Sequence, residues 1–218
     1  MIKIDLHTHS EASKDGGITP DQYAEVLKNE VLDVIAITDH DRIDFAQGMQ
    51  KALGADKIIV GEEITTTNGE IIGLYLHTKI EPHQTPEDTV QAILDQDGLV
   101  CIPHPFETVR KGITLETLNK IKDSVSIIES FNGRAFVQNF GIQATDWAQR
   151  TGTVTAANSD AHGAAGLGKT YTVIQKRPTK ETLVIELASA QKIQKRPPFY
   201  TLLYPKYNRM KKIISGRK

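Results

Sequence analysis

Residues 3–17 read KIDLHTHSEASKDGG, an apolar run that ends in two histidines one residue apart, His7 and His9. In a β-strand, side chains i and i+2 share a face, so His7 and His9 point together. The same alternation puts Asp5 beside them and Ile4, Leu6 and Thr8 on the opposite face. Neutral imidazole is a common ligand of transition metals. A lone H-x-H is also what two hydrogen-bonded or exposed histidines would look like, so the remaining ligands must come from elsewhere in the chain.

Elsewhere the chain alternates strand-like and helical runs. TPDQYAEVLKNE reads as a helix with Thr19 as N-cap and Pro20 at its first position. VLDVIAIT follows as a strand, and FAQGMQKAL as a helix closed by Gly54. KIIVGEEITT and EIIGLYLH flank Asn68-Gly69, a favoured hairpin turn. Three further strands, LVCIP, VSIIES and TVTAAN, each follow a helical run; the last of these runs extends from about Ala135 to Arg150. TKETLVIELASAQ, capped by Thr179, is the last helix expected. Repeated strand–helix pairs predict a mainly parallel α/β fold. About seven units in this length point to a small, distorted (β/α)7 barrel rather than an open sheet.

At 218 residues the chain can bury one sizeable core. Its single cysteine, Cys101, lies in an apolar run and suits core packing in a reducing compartment. No apolar stretch approaches the roughly 20 residues needed to span a bilayer, and the N-terminal residues lack a secretory pattern. A cytoplasmic protein without membrane contact is therefore expected. Residues 191–218 hold nine Lys or Arg and no Asp or Glu. Subtracting those nine from 26 leaves residues 1–190 with 17 basic and 27 acidic groups. We read 1–190 as the barrel domain and 191–218 as a basic extension. Phe199, Tyr200, Leu202, Leu203 and Tyr204 are too apolar for a freely solvated arm, so it is expected to pack in part on the barrel. The chemistry is expected not to need it.

Polar residues collect where strands end. TDHD supplies His40, GEE supplies Glu62 and Glu63, and PHP supplies His104. ESFNGR supplies Glu129, Asn132 and Arg134, and NSDAH supplies Asp160 and His162. In a barrel that rim is where active sites are built. His7, His9, Asp15, His40, Glu63, His104, Asp160 and His162 mix imidazole with carboxylate and contain no thiolate. Such a set suits Zn²⁺, Mn²⁺ or Fe²⁺ in a working site rather than a structural zinc. Eight ligands exceed the needs of one ion, so two or three divalent ions are expected. Ions so placed ionise water and clamp the oxygens of a displaced group.

DLHTHS, ITDHD, GEEI, PHPF and NSDAH, in that order between residues 5 and 162, resemble the motifs of the PHP (polymerase and histidinol phosphatase) superfamily. The resemblance is nearest to short members described as metal-dependent phosphoesterases. It implies a distorted (β/α)7 barrel with a two- or three-metal centre at the C-terminal rim of the strands. His7, His9, Glu63 and Asp160 would hold one ion, and Glu63 would bridge to a second held by His104. Asp15, His40 and His162 would hold a third. Where many members carry a further histidine ligand, this chain has Glu70, which is read as a metal ligand or a neighbour of one. The implied reaction is hydrolysis of a phosphate ester by a metal-bound hydroxide. Asp15, Asp160 and His162 are candidates for proton transfer, and Arg110 and Arg134 for gripping the phosphate. Asp39 and Asp41 flank His40 and are candidates to orient it, with Asp39 equally suited to capping a turn. The substrate expected is a small nucleotide or other phosphorylated metabolite rather than nucleic acid. Rival readings are a metal-dependent C–N bond hydrolase, a nuclease and a non-catalytic metal-binding module.

Overall fold

The computed structural model describes residues 1–216, so Arg217 and Lys218 of the basic extension lie outside the described residues. Its strands are β1 (Ile2–Asp5), β2 (Val34–Ile37), β3 (Ile58–Thr66), β4 (Gly69–Leu74), β5 (Leu99–Ile102), β6 (Ile127–Asn132), β7 (Val154–Asn158), β8 (Thr170–Ile174) and β9 (Gln191–Gln194). They form one sheet in the order β7-β6-β5-β4-β3-β2-β1-β8-β9, curled into a nearly closed barrel. The barrel is closed locally where β7 meets β1 and β8. The Asp160 amide donates to the His7 carbonyl and the His9 amide to the Ala161 carbonyl, both at 2.9 Å. Thr172 Oγ1 accepts from the Ala157 amide at 2.9 Å and donates to the Ala157 carbonyl at 3.0 Å. A threonine hydroxyl there stands in for a missing ladder bond.

The helices are α1 (Pro20–Lys28), α2 (Asp44–Leu53), α3 (Pro86–Leu94), α4 (Leu115–Lys120), α5 (Gly141–Thr151), α6 (Lys180–Ala188) and α7 (Tyr204–Ile214). Thr19, Thr85 and Thr114 cap α1, α3 and α4 by accepting the amide three residues on. One apolar layer joins Tyr23, Met49, Ile93 and Trp147 of the helices to Ile35, Ile37, Val100 and Ile128 of the strands. A second lies within the barrel and contains Ile4, Leu6, Ala36, Ile59, Ile72, Cys101 and Ile127. Leu183 and Leu187 of α6 plug one end of that interior, each contributing about 1.5–3 kcal/mol by burial. The opposite end, where the parallel strands finish, is left to polar side chains. No helix among the described residues is long and apolar enough to cross a membrane.

Four details differ from the sequence reading. Only β1–β2, β2–β3, β5–β6 and β6–β7 are parallel; besides the β3–β4 hairpin that Asn68-Gly69 predicts, β4–β5, β1–β8 and β8–β9 are antiparallel. Strands β8 and β9 and helix α7 were not expected, so α6 is not the last helix. Helix α5 starts at Gly141, not near Ala135, because residues 133–140 form a loop whose amides bond locally to Asn132 and Arg134. Finally, alternation slips after Leu6. Leu6 lies in the barrel interior while Thr8 faces outward to the Tyr23 hydroxyl. Asp5 therefore does not share the histidines' surroundings; its Oδ1 accepts the His7 and Ser159 amides.

Candidate metal centre

Four donor atoms, from the residues that follow β1 and β7 and from within β3, converge at the mouth of the barrel. His7 Nε2 and His9 Nε2 are 3.0 Å apart. Glu63 Oε2 lies 3.3 Å from the first and 3.2 Å from the second, and Asp160 Oδ1 3.6 and 3.4 Å. Bonds of about 2.0–2.2 Å to one transition-metal ion place neighbouring donors about 2.8–3.6 Å apart. The quartet already has that spacing. The other Glu63 oxygen lies 2.9 Å from His104 Nε2, with Glu70 Oε2 3.9 Å from the same nitrogen. His40 faces two ways: Nδ1 is 3.4 Å from Glu63 and 3.8 Å from Glu70, while Nε2 is 3.7 Å from Asp15. Asp15 Oδ1 is also 3.5 Å from His162 Nε2. His7, His9, Asp15, His40, Glu63, Glu70, His104, Asp160 and His162 are thus all brought into overlapping groups.

Local backbone explains the aim of several of them. His104 and Asp160 hold φ of 26° and 52°, left-handed conformations unusual for side chains with a Cβ and common at functional sites. The loop after His9 folds back tightly at Gly16, where a Cβ would fall 2.1 Å from the Ser10 carbonyl oxygen. Only glycine fits, and the fold-back turns Asp15 inward. Glu62 points the other way: it is buried, and its Oε2 accepts the Ile80 amide at 2.9 Å. His77 and His83 are exposed and lie outside the cluster.

One supporting residue escaped the sequence reading. Glu129 Oε1 sits 2.9 Å from His7 Nδ1 and accepts the Asn158 amide group, while Oε2 accepts the His104 backbone amide and the Asn132 side chain. Such a carboxylate fixes the ring so that its other nitrogen faces a metal. Its place at a strand end was visible; its partners, 25 or more residues away for the two histidines, were not. Asp39 and Asp41 do not orient His40. Asp39 accepts the Ser10 amide and hydroxyl, and Asp41 those of Thr65.

Burial opposes a proton on His7, yet the charges of Asp160, Glu63 and Glu129 lift its pKa well above the ordinary value. His9 is pushed up to about 9, against burial, by hydrogen bonds to Asp160 and Glu63. Burial also works against ionising Asp15, Glu63 and Asp160, but nearby histidines hold all three below the usual carboxylate range. Burial brings His40 down to about 3 and His162, helped by the Arg134 charge, to about 4. These directions favour ionised Asp15 and Asp160 and a neutral His162, whose Nδ1 faces the Asp160 carbonyl and whose Nε2 faces Asp15. Buried Nδ1 atoms of His9, His40 and His104 have no hydrogen-bond partner. Protons on His7 and His9 stand where cations would, and the nitrogen and oxygen donor set fits divalent transition metals.

Above this floor a cavity of about 530 Å³ is rimmed by Lys14, Lys111, Arg110, Arg134 and Arg209. Arg110 donates four hydrogen bonds, to Glu107 twice, Asn132 and Asp160, from its five N–H groups. Its guanidinium is thus engaged by Glu107, Asn132 and Asp160. Arg134 approaches Asp160 at 3.4 Å and His162 at 3.2 Å through Nη1 alone.

Burial of Glu62, next to this floor, raises its pKa to about 7. Between the ordinary value of 4.5 and about 7 the folded chain binds more protons than the unfolded one, so stability falls as pH rises through that window. Glu62→Gln should therefore raise the melting temperature at pH 8 and leave it near that of the natural chain at pH 5. The gain at pH 8 is bounded by about 3 kcal/mol. Equal shifts at both pH values would show that Glu62 does not titrate in the fold.

The PHP domain model matches residues 5–98, and the PHP-associated model matches residues 142–191. An uncharacterized protein of Methanocaldococcus jannaschii, MJ1587, is 32% identical over an alignment of 154 positions that covers 65% of this chain and 90% of that protein. Among solved structures, a two-domain protein from Bacteroides vulgatus containing a predicted PHP-like metal-dependent phosphoesterase superposes with a TM-score of 0.71 at 18% identity. That match covers 89% of this chain and 65% of the other. The lesion-specific endonuclease PfuEndoQ from Pyrococcus furiosus superposes with a TM-score of 0.63 at 16% identity, over 88% of this chain and 57% of its own. Nearly the whole of a relative is thus shared at this identity, and the first model's footprint holds the H-x-H strand, His40 and Glu63: the chain belongs to the PHP family.

Proposed function

We propose that this chain is a metal-dependent phosphoesterase acting on a small nucleotide or other phosphorylated metabolite. The observation that carries the reading is the charge layering of the mouth: imidazole and carboxylate donors at the floor, lysine and arginine at the rim. A tetrahedral dianion satisfies both layers at once, whereas a neutral amide leaves the cationic rim without a partner. A volume of about 530 Å³ suits a nucleotide-sized ligand.

His7, His9, Glu63 and Asp160 would hold one ion, Glu63 with His104 and Glu70 a second, and Asp15, His40 and His162 a third. Bound ions of this kind supply Lewis-acid polarisation of the phosphoryl group and water activation at neutral pH. The chain's own contribution is to aim the donors and exclude water. Glu129 and Asn158 lock the His7 ring, and Arg110 fixes the Asp160 carboxylate through Oδ2 while Oδ1 faces the cluster. Arg134, with its Nε buried and without a partner, is the arginine best placed to turn toward a substrate phosphate. Its fork would orient the ester for in-line displacement.

A nuclease is the second reading, favoured by Lys206, Arg209, Lys211 and Lys212 on α7, the helix that contributes Arg209 to the rim. The test is a panel run after reconstitution with Mn²⁺, Zn²⁺ or Fe²⁺: p-nitrophenyl phosphate and nucleoside monophosphates, amide and lactam substrates, and short single-stranded RNA and DNA. Turnover of the small phosphoesters alone is expected. Amide turnover without phosphatase activity would overturn the reading. Salt-sensitive nucleic-acid cleavage with inert small esters would establish the nuclease instead.

A further inference from the structure

The sequence gives no reason to connect the basic extension with the metal cluster, and residues 191–218 were expected to be dispensable for chemistry. Helix α7 nonetheless crosses the mouth of the barrel and touches the two loops that carry Asp15 and His162. Asn208 is its one buried residue. The Asn208 amide group donates to the Asp15 carbonyl and to the His162 carbonyl, each at 2.9 Å. One side chain thus joins main-chain groups that are far apart in sequence. Around it, Arg209 donates to Asp15 Oδ2 at 2.8 Å, and Lys212 donates to the Ser13 and Gly16 carbonyls.

The loops are shaped to receive the helix. A Cβ on Gly17 would lie 2.8 Å from the Asn208 amide nitrogen, and one on Gly163 would lie 2.6 Å from the Tyr204 ring. Both approaches are closer than a side chain tolerates, so the contact is built into the loops as well as into α7. Among the described residues, no hydrogen bond from α7 reaches His7, His9, Glu63 or Asp160. Those four are presented by β1, β3 and β7 and their immediate ends. The helix therefore bears on one part of the cluster only.

We infer that α7, acting through Asn208, assembles the Asp15–His40–His162 position, so that occupancy of that position depends on the C-terminal helix. The inference rests on the reading of the cluster as a metal centre and adds to it a positioning residue outside the sequence motifs. Asn208 touches no donor atom; it holds the backbone of two residues that would. A barrel without the helix would keep the His7–His9–Glu63–Asp160 position and lose control of the outer one.

The test uses the full chain with Asn208→Asp, which keeps the shape but removes the donor, and Asn208→Ala, which adds no charge. Mn²⁺ binding is followed by calorimetry and metal analysis beside the natural sequence, His162→Ala and His7→Ala, with folding checked by circular dichroism in EDTA. Both Asn208 variants should weaken, by about tenfold or more, the binding step that His162→Ala removes. They should leave intact the step that His7→Ala removes. Titration curves matching the natural chain would overturn the inference, as would equal weakening of both steps, which marks a general loss of structure. If the natural chain takes up no metal, the metal reading itself fails, a result distinct from either.

Discussion

Glu63→Gln should lower kcat on p-nitrophenyl phosphate by about a thousandfold or more, while Glu62→Gln leaves it within about twofold. The two glutamates are adjacent, both buried, and differ only in the face of β3 they occupy. Glu63 places one oxygen among His7, His9 and His40 and the other against His104. Its two oxygens thus face different histidines, and an amide there removes the negative charge between them. Glu62 lies on the opposite side of the strand and accepts an amide that a glutamine oxygen also satisfies. Each variant is thus the other's control for expression and folding. Metal analysis should show Glu63→Gln losing at least one ion and Glu62→Gln losing none. Equal activity in the two variants would remove Glu63 from the mechanism and, with it, the bridged arrangement.

That contrast also shows what could be read before folding. The PHP motifs select Glu63, and the ends of strands gather His40, His104 and Asp160 without reference to any distance. The start of α1 was equally plain, since Thr19-Pro20 carries its signal in adjacent residues. What was hidden depends on pairing across the chain. Strand β9 reads QKIQ because it is an edge strand on β8 with mixed exposure, so it carries no apolar signal. Residues 135–140 look helical by composition, yet Phe136 packs edge-on against Phe199 of the extension, and Gln138 accepts the Thr108 and Val109 amides. Asn208, Arg209 and Glu129 act through partners distant in sequence, which no local pattern reveals.

Chelation should destabilise the protein more than any surface substitution. The cluster packs the carboxylates Asp15, Glu63, Glu70 and Asp160 among five histidines, nearly all out of contact with water. Without ions, the positive charges that meet these carboxylates are the guanidinium groups of Arg110, Arg134 and Arg209 and protons on histidine, and His9 is pushed up to about 9 by its hydrogen bonds to Asp160 and Glu63. Burial, and then the Glu63 charge, raises the Glu70 carboxyl as well, another sign that negative charge there is under-compensated. An ion that binds the fold but not the unfolded chain adds about 2.7 kcal/mol at a hundred times its Kd. In a chain of this size that corresponds to about 5–10 °C in Tm for each ion. Mn²⁺, Zn²⁺ or Fe²⁺ should therefore raise the melting temperature well above that in EDTA, and Mg²⁺, which prefers all-oxygen ligands, much less. Because metal must displace the protons on His7 and His9, the shift should grow from pH 6 to pH 8, with protons released to the buffer. A melting temperature that is the same in EDTA and in excess Mn²⁺ at pH 8 would mean that the protons, not metals, are the native occupants of this cluster.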